Sequence, residues 1–258
     1  MAIEVTNISD ILLVGAGGRM GRLLTGRARA AGLAVRGLDA PLTPGALARE
    51  ARGAELVLLA VPAAAVAEVA RLCAAAMGPE QIMADICSVK VRPLAEMLAA
   101  HSGPVVGTHP LFGPDPAPDA TRVAVVPGRG EAAARAVADL MARLGFTPFA
   151  ATAEEHDRAV ADIQGLNFIT SVAYLATLAH RPELAAFITP SFRRRLDAAR
   201  KMLTEDSALF AGLMDANPYT QDSVRAYRAM LNIAAGGDIE LLCERADWWW
   251  HDGPDGGG

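Results

Sequence analysis

The chain has 258 residues, a formal net charge of −5 at pH 7, and a composition that is 52% hydrophobic and 21% charged. That length accommodates two modest domains, and that composition is typical of a well-packed globular protein rather than a disordered one. The acidic balance, with no basic stripe, argues against a nucleic-acid partner, so an acidic substrate would need local cations. The sequence predicts no metal site, because its three cysteines have neither metal-ligand nor disulfide spacing.

The start of the chain gives no sign of secretion. The first ten residues lack the charged start and continuous apolar core of a signal peptide, and unpaired cysteines suit a reducing compartment. A cytoplasmic protein is therefore expected. The uncharged segment 163–179 is slightly short for a membrane span and carries several polar side chains, so we interpret it as a buried helix and predict no membrane association.

A strand, a glycine turn and a helix are predicted near the start of the chain. A buried strand is predicted over residues 10–14, where an apolar run ends at Val14, and a helical stretch covers residues 22–31. Glycines let the backbone turn tightly and approach a pyrophosphate at the amino end of the helix. Their spacing is irregular for that fingerprint, so a plain tight turn remains the alternative. The predicted nucleotide contacts in the turn are Gly15, Gly17, Gly18, Arg19, Met20 and Gly21.

An acidic residue follows the second predicted strand, which covers residues 34–38. Asp39 stands roughly 20 residues beyond the glycines, where a carboxylate binds the adenosine ribose hydroxyls. A carboxylate there repels a 2′-phosphate, and residues 40–42 offer no cation to receive one. The sequence therefore favours NAD over NADP as the cofactor. The alternative is an exposed aspartate at a strand end with no partner.

The candidate acid/base lies where two further strands end. One strand covers residues 81–86 and is followed by Ser88, and another covers residues 104–107 and is followed by His109 in a loop. The carboxyl ends of parallel strands form the ligand edge of an open α/β sheet, so Ser88 would be close enough to orient the imidazole. By itself, however, a histidine beside a proline is more often a structural loop residue than a catalyst.

The remaining strand pattern completes a doubly wound α/β sheet of the Rossmann type. A strand over residues 56–61 ends where Val61 and Pro62 would cross above the cofactor. Late strands over residues 122–126 and 147–150 flank one more helix. The first predicted domain, for NAD binding, therefore covers residues 1–150.

From residue 152 onward only helical patterns occur. The first of these helices is long and almost uncharged, and one chain of this size has too few helices to surround it. A homodimer formed through this half is therefore predicted. The second domain, an all-helical substrate and dimerisation domain, covers residues 151–250, and residues 251–258 are expected to form a loose tail.

Two short words, D-x-x-S-V-K from residue 85 and G-x-H-P-x-F-G-P from residue 107, closely resemble a pair found in prephenate dehydrogenases. These enzymes oxidise and decarboxylate a cyclohexadienyl acid on the route to tyrosine. The resemblance extends from about residue 15 to about residue 210. It implies that His109 is the base for the ring hydroxyl, that Ser88 orients it, and that the glycine turn and Asp39 hold NAD. Lys90 is interpreted as a structural residue or a nucleotide contact.

The helical half resembles the family less closely. The position of the family's substrate-facing histidine falls on Phe168, and Lys201, beside Arg200, stands where the family has an arginine that grips the ring carboxylate. A solvated helix face is the alternative for these cations. His156 is the residual histidine candidate and is expected to be a surface or interdomain contact. The substrate-binding residues that the resemblance implies are Gln164, Asn167, Phe168, Arg200 and Lys201.

These departures concern the substrate more than the reaction. They fit a relative that acts on an altered cyclohexadienyl acid, such as 4-amino-4-deoxyprephenate of specialised metabolism, or arogenate. Prephenate and 4-amino-4-deoxyprephenate rank close together as predicted substrates, each giving the aromatic 4-substituted phenylpyruvate, and arogenate is a further alternative. A rival enzyme is another reductase with a Rossmann domain and a helical dimer domain, which would not require His109 beside Ser88. A non-catalytic rival is a dimer that senses NAD.

Overall fold

The computed structural model describes residues 7–251 and Gly253, and the chain divides into two compact units. The first unit runs to Val160 and also includes Ala211–Asn217. The second consists of Ala161–Phe210 and the segment that begins at Pro218. The sequence predicted a domain boundary at residue 150, whereas the division between the two units falls at Val160. Apart from residues 251 and 253, the predicted tail lies outside the described residues.

One seven-stranded sheet, in the order β2-β1-β3-β4-β5-β6-β7, forms the centre of the first unit. The strands are β1 Asp10–Val14, β2 Ala34–Leu38, β3 Leu56–Leu59, β4 Ile82–Asp85, β5 Val105–Pro110, β6 Arg122–Arg129 and β7 Thr147–Ala150. The first five strands are parallel to one another, β6 is antiparallel to β5, and β7 is parallel to β6. The predicted Rossmann-type α/β fold is confirmed, with a mixed rather than a wholly parallel sheet.

Helices cover both faces of this sheet. They are α1 Arg19–Ala30, α2 Pro44–Glu50, α3 Val66–Ala74, α4 Val91–Ala100, α5 Glu131–Arg143 and α6 Ala153–Val160. Alternate residues of β1 point to opposite faces of the sheet: Leu13 packs into the apolar core on one face and Leu12 into the core on the other. A strand covered on both faces has to be apolar throughout, which explains the continuous hydrophobic runs in the sequence.

Strand β5 is longer than predicted and includes His109. The expected loop after residue 107 is instead strand up to Pro110, because β6 pairs with it in antiparallel register, with His109 opposite Ala124. The backbone of a paired strand is held by ladder hydrogen bonds, whereas a loop is not. His109 therefore projects from a rigid element rather than from a turn.

The second unit is helical, as predicted. It contains a π-helical segment, Ala161–Gly165, followed by α7 Leu166–Thr177, α8 Pro190–Thr204, the start of α9 Ser207–Ala216 up to Phe210, α10 Thr220–Ala235 and α11 Ile239–His251. The long helix expected from residue 152 is thus interrupted by a π-helical segment, a feature frequent at functional sites. No helix of the described residues is long and apolar enough to cross a membrane.

The segment 163–179, which was expected to be buried, is largely exposed in the single chain. Ile163 is 61% exposed, Tyr174 is 41% exposed, and Ser171 is the buried residue of α7. From the sequence, this helix was expected to be buried against a second copy, and its burial there remains a prediction.

Candidate active site

The glycine turn between β1 and α1 has room for backbone only. Gly15 has φ +93°, and a Cβ there would lie 2.3 Å from the carbonyl oxygen of Ala60. A Cβ on Gly21 would lie 2.1 Å from the carbonyl oxygen of Gly15. These two glycines, six positions apart in G-x-G-x-x-x-G, are both required by close backbone approach, which accounts for the irregular spacing.

Helix α1 begins at this turn with its amino end uncapped. Gly18 is the N-cap and provides no side-chain hydrogen bond, and the first turn contains no acidic residue. Backbone N–H groups at such an end, together with the helix dipole, favour an anion. Among the other predicted contacts, Arg19 and Pro62 are exposed, whereas Met20 and Val61 are half-buried.

The carboxylate of Asp39 lies against the glycine turn. Its two oxygens are 3.0 and 3.1 Å from the backbone nitrogen of Gly17, which donates to them. Asp39 is exposed, yet it has a partner, so the alternative of an aspartate without one is wrong. A cradle that any Cβ would fill, an uncapped helix start and an acid at the end of β2 together fit a dinucleotide.

The two sequence words meet through a buried ion pair. The ammonium of Lys90 lies 2.6 Å from both carboxylate oxygens of Asp85 and donates to the carbonyl oxygen of Thr108, also at 2.6 Å. All three residues have 0% exposure. A Cβ on Gly107 would lie 3.0 Å from Cδ of Lys90, so glycine makes room for the lysine. Of the two interpretations given for Lys90, a structural residue or a nucleotide contact, its buried position supports the structural one.

His109 belongs to a chain of three buried side chains. Its Nδ1 is 2.9 Å from Nε2 of His156, and Nδ1 of His156 is 2.7 Å from Oδ1 of Asp157. The two imidazoles have 4% exposure each and Asp157 has 0%. His156 is thus neither a surface residue nor an interdomain contact, because it lies within the first unit against the candidate base.

Ser88 does not hold the position that the sequence predicted for it. It is half-buried, and no hydrogen bond joins it to His109 among the described residues. His156 occupies the Nδ1 side of the ring instead. Residues 109 and 156 are 47 positions apart on different elements, and no spacing rule connects them.

Asp157 is fixed by the backbone at the start of α4. Its Oδ1 accepts a hydrogen bond from the N–H of Lys90 at 2.7 Å, and its Oδ2 accepts one from the N–H of Val91 at 2.9 Å. These N–H groups belong to the orphan donors of the helix, so the carboxylate also suits the positive end of the dipole. The amide of Asn217 donates to the carbonyl oxygen of Asp157 at 2.7 Å.

The surroundings of His109 disfavour its protonated form. Burial lowers the pKa of the imidazole well below its usual range, and the neighbouring His156 and Lys90 lower the pKa further. At neutral pH His109 is therefore uncharged. A neutral imidazole with one nitrogen already hydrogen-bonded can accept a proton at the other.

The residues predicted to bind the substrate lie in the second unit. Phe168 stacks on Phe210, with ring centroids 5.2 Å apart and an interplanar angle of 12°. Gln164 is half-buried in the π-helical segment, while the other three, Asn167, Arg200 and Lys201, are exposed. In the described part of the chain, no group of three or more His, Cys, Asp or Glu residues is arranged to hold a metal ion.

Comparison with known proteins identifies the first unit. Residues 21–126 match the family model described as the nucleotide-binding domain of prephenate dehydrogenase. The T-protein of Enterobacter agglomerans is 32% identical over 246 residues, which are 93% of this chain and 64% of the relative. The T-protein of Haemophilus influenzae is 29% identical over 217 residues, 81% of this chain and 56% of the relative. The chain thus spans about three fifths of the length of these curated relatives.

Solved structures show the same fold. A prephenate dehydrogenase from A. aeolicus, in complex with hydroxyphenyl propionate and NAD+, superposes with a TM-score of 0.77 at 17% identity, over 94% of this chain and 96% of that one. An arogenate dehydrogenase from Synechocystis gives a TM-score of 0.75 at 18% identity, over 94% and 98% of the two chains. These structures show the fold. The matched nucleotide-binding domain, which contains Asp39, both sequence words and His109, identifies residues 21–126 as a nucleotide-binding domain of the prephenate dehydrogenase family, in agreement with the 32% identical T-protein.

Proposed function

We propose that the protein catalyses the NAD-dependent oxidative decarboxylation of a prephenate-type cyclohexadienyl acid. The observation that carries this proposal is His109, a buried and uncharged imidazole whose Nδ1 is engaged by His156. Its Nε2 has no hydrogen bond to any described residue, so it is available to a substrate hydroxyl. The carboxyl ends of the parallel strands, where ligands bind in open α/β sheets, are the edge to which β5 brings it.

The first unit provides the features that NAD requires. The pyrophosphate would lie on the turn from Gly15 to Gly21 and the uncapped start of α1, and Asp39 would accept hydrogen bonds from the adenosine ribose. Residues 40–42 contain no cation for a 2′-phosphate, so NAD is preferred over NADP. When bound, NAD supplies the acceptor for the hydride that leaves the ring carbon bearing the hydroxyl.

His109 handles the hydroxyl proton during this step. As the ring carbon is oxidised, the O–H bond weakens and Nε2 takes the proton, which keeps positive charge from accumulating on the oxygen. The bond to the leaving carboxylate then breaks, its electron pair enters the ring, and carbon dioxide departs. The proton returns to the phenolic oxygen of the aromatic product. His109 therefore finishes the cycle neutral, as it began.

Two residues of the second unit bear on the proposed substrate. Phe168 is stacked on Phe210 where related enzymes present a histidine, and a lysine at position 201 keeps a charge but lacks the bidentate fork of an arginine. These replacements support an altered acid such as 4-amino-4-deoxyprephenate, in specialised metabolism, while the family resemblance supports prephenate, in tyrosine biosynthesis, and we propose one of these two as the substrate. Arogenate is the next candidate.

The test is a substrate panel with a matched control. The purified protein and NAD would be offered prephenate, arogenate and 4-amino-4-deoxyprephenate, and the absorbance of NADH would be followed, with a His109→Asn variant in parallel. We expect turnover of at least one acid by the parent and almost none by the variant. Binding of NAD without turnover of any of the three would favour the non-catalytic dimer over the enzyme.

Association and location belong to the same proposal. We propose a homodimer formed through the second unit, where the large exposed apolar side chains include Ile163, Tyr174, Leu231 and Trp250. We also propose a cytoplasmic location, which suits the free thiols of Cys73, Cys87 and Cys243.

A further inference from the structure

We infer that His156 and Asp157 are positioning residues that select the tautomer of His109 and stabilise its protonated form during the reaction. Asp157 and the two imidazoles form a hydrogen-bonded chain with a fixed direction, from carboxylate to outer ring to inner ring. The tautomer follows from the geometry of this chain alone. The consequence for turnover rests on the proposed function.

The direction is set at Asp157. Its carboxylate already accepts hydrogen bonds from the backbone N–H groups of Lys90 and Val91, and these donors cannot reverse their roles. The third contact is Nδ1 of His156, 2.7 Å from Oδ1. Since Oδ1 acts as an acceptor at this point, Nδ1 of His156 carries the hydrogen.

The next contact then has only one arrangement for two neutral rings. With its proton on Nδ1, a neutral His156 presents a bare Nε2, which can only accept. The atom facing it at 2.9 Å is Nδ1 of His109, which must therefore donate. His109 is left with a bare Nε2, the atom that the proposed reaction needs as the base. An isolated histidine side chain in water prefers the opposite tautomer, with the hydrogen on Nε2. The hydrogen bonds from Asp157 through His156 therefore stabilise the tautomer of His109 that is less favoured in water.

Lys90 ties the two ends of the chain together. Its backbone N–H holds Asp157, and its ammonium holds the carbonyl oxygen of Thr108, the residue before His109. The carboxylate and the inner ring therefore keep their separation through one residue that is fully buried. A displacement of about 1 Å is enough to lower turnover about 100-fold in a positioned reaction, so such fixing has a functional value.

One carboxylate near His109 can stabilise a transient imidazolium against surroundings that otherwise oppose the charge. The groups that face it are the ammonium of Lys90, the carboxylate of Asp85 that pairs with that ammonium, the ring of His156 and the carboxylate of Asp157. Lys90 opposes a positive charge on His109 although Asp85 pairs with it, and Asp157 is the carboxylate that is hydrogen-bonded to His109 through His156. When Nε2 takes the proton, Nδ1 becomes a stronger donor to His156, and the carboxylate stabilises the charge through that ring.

The tautomer can be measured without substrate or cofactor. The protein would be labelled with ¹⁵N at its histidines, and the two ring nitrogens of each would be distinguished by their NMR shifts at neutral pH. His109→Asn assigns the signal, and an exposed-site variant, His251→Phe, serves as the labelling control. We expect a protonated Nδ1 and a bare Nε2 at His109. A protonated Nε2 in the parent would overturn the inference.

Substitution separates positioning from packing. His156→Phe keeps a ring but removes the acceptor, and His156→Gln keeps an acceptor of smaller size. We expect His156→Phe to shift His109 towards the Nε2–H tautomer and to slow the first turnover of NADH formation about 100-fold, the lower end of the range for a lost acid/base. NAD affinity should stay at the parent value, and His156→Gln should recover about tenfold of the rate.

The outcomes distinguish this inference from the proposed function. A parent that turns over none of the three acids contradicts the proposed function, while the NMR result still decides the tautomer. A parent that is active, with a His156→Phe variant that keeps its rate, pH profile and His109 tautomer, overturns the role of His156. Asp157→Asn tests the role of the Asp157 charge separately, because it keeps the size of the side chain but removes the charge. A folded Asp157→Asn enzyme with the parent's rate and acid limb would overturn the role of Asp157.

Discussion

At the scale of single residues, Asp39 is the residue that we propose discriminates between NAD and NADP. Its carboxylate accepts the N–H of Gly17 and would also accept the ribose hydroxyls. We expect Asp39→Asn to keep a hydrogen bond to the turn while relaxing discrimination against NADP, and Asp39→Ala to weaken NAD binding as well. The loss of a charge-assisted hydrogen bond corresponds to about 1.5–3 kcal/mol, or roughly 10- to 150-fold in the dissociation constant. Titration of both cofactors against each variant measures this, and an unchanged NAD-to-NADP ratio would contradict the assignment.

His109 gives the second prediction at this scale, and it concerns pH. Because the pKa of the buried imidazole is lowered, the acid limb of the chemical step should lie below the ordinary histidine range near 6.5. Rapid mixing, which observes NADH formation before product release, is the suitable measurement. His109→Asn should lose roughly 100- to 10,000-fold in this step and still bind NAD. If the variant formed NADH at the parent rate with the same limb, the base would have to be another residue.

The same pKa also predicts a change in stability. Below about pH 6.5 residue 109 binds a proton in the unfolded chain but not in the folded chain. The free energy of unfolding therefore decreases as the pH falls, until the pH reaches the pKa of His109 in the folded protein. The slope from this one group is at most about 1.4 kcal/mol per pH unit. Urea unfolding at several pH values should show a steeper loss for the parent than for His109→Asn. Parallel slopes would show that the buried ring does not resist protonation.

At the scale of elements, the ion pair of Asp85 and Lys90 joins the end of β4 to β5 and α4. Lys90→Met would leave a buried carboxylate without its cation, a change that costs about 3–5 kcal/mol. The matched control is the double variant Lys90→Met with Asp85→Leu, in which the uncompensated charge is absent. We expect urea unfolding to show a smaller loss for the double variant than for Lys90→Met. A double variant less stable than the single one would mean that hydrogen bonds, rather than charge pairing, dominate at this position.

The elements also show what sequence reasoning can reach. The strands were predictable because a sheet covered on both faces requires continuous apolar runs, and the bounds of β1, β2 and β7 were predicted without error. Helix α2 was not predicted, because seven residues are too few for a helical repeat of apolar positions to be recognised in the sequence. The end of β5 was missed because its last residues are strand only through pairing with β6, a partner that lies beyond a loop.

The candidate site divides in the same way. His109 was predictable from its place at the end of an apolar run, and Asp39 from its distance to the glycines. The contacts of Asp157 with residues 90 and 91 join positions 66 or more apart, and the sequence offers no local signal for them. The sequence predicted Ser88 as the hydrogen-bond partner of His109, because both residues follow neighbouring strands at one edge of the sheet. In the folded protein the partner is His156, which is 47 positions away in the sequence.

At the scale of the whole molecule, the second unit leaves several large apolar side chains exposed in the single chain. On α11, Ile239 is 51% exposed and Trp250 is 65% exposed, and Leu231 on α10 is 50% exposed. Large contiguous apolar patches mark protein interfaces, and closed two-fold dimers are the commonest assemblies of identical chains. A second copy of this chain is therefore the partner that we propose for these side chains.

The final prediction tests that partner. Leu231→Glu together with Trp250→Glu would place buried charges at a dimer interface, so the variant should be a monomer where the parent is a dimer. Light scattering coupled to size-exclusion chromatography, over a series of concentrations, measures the mass directly. Glu244→Lys is the matched control, because it changes charge at an exposed polar position of α11. NAD binding should survive in all three proteins, since the nucleotide residues lie in the first unit. A parent that stays monomeric across the whole series would contradict the dimer and leave the exposed tryptophans to some other partner.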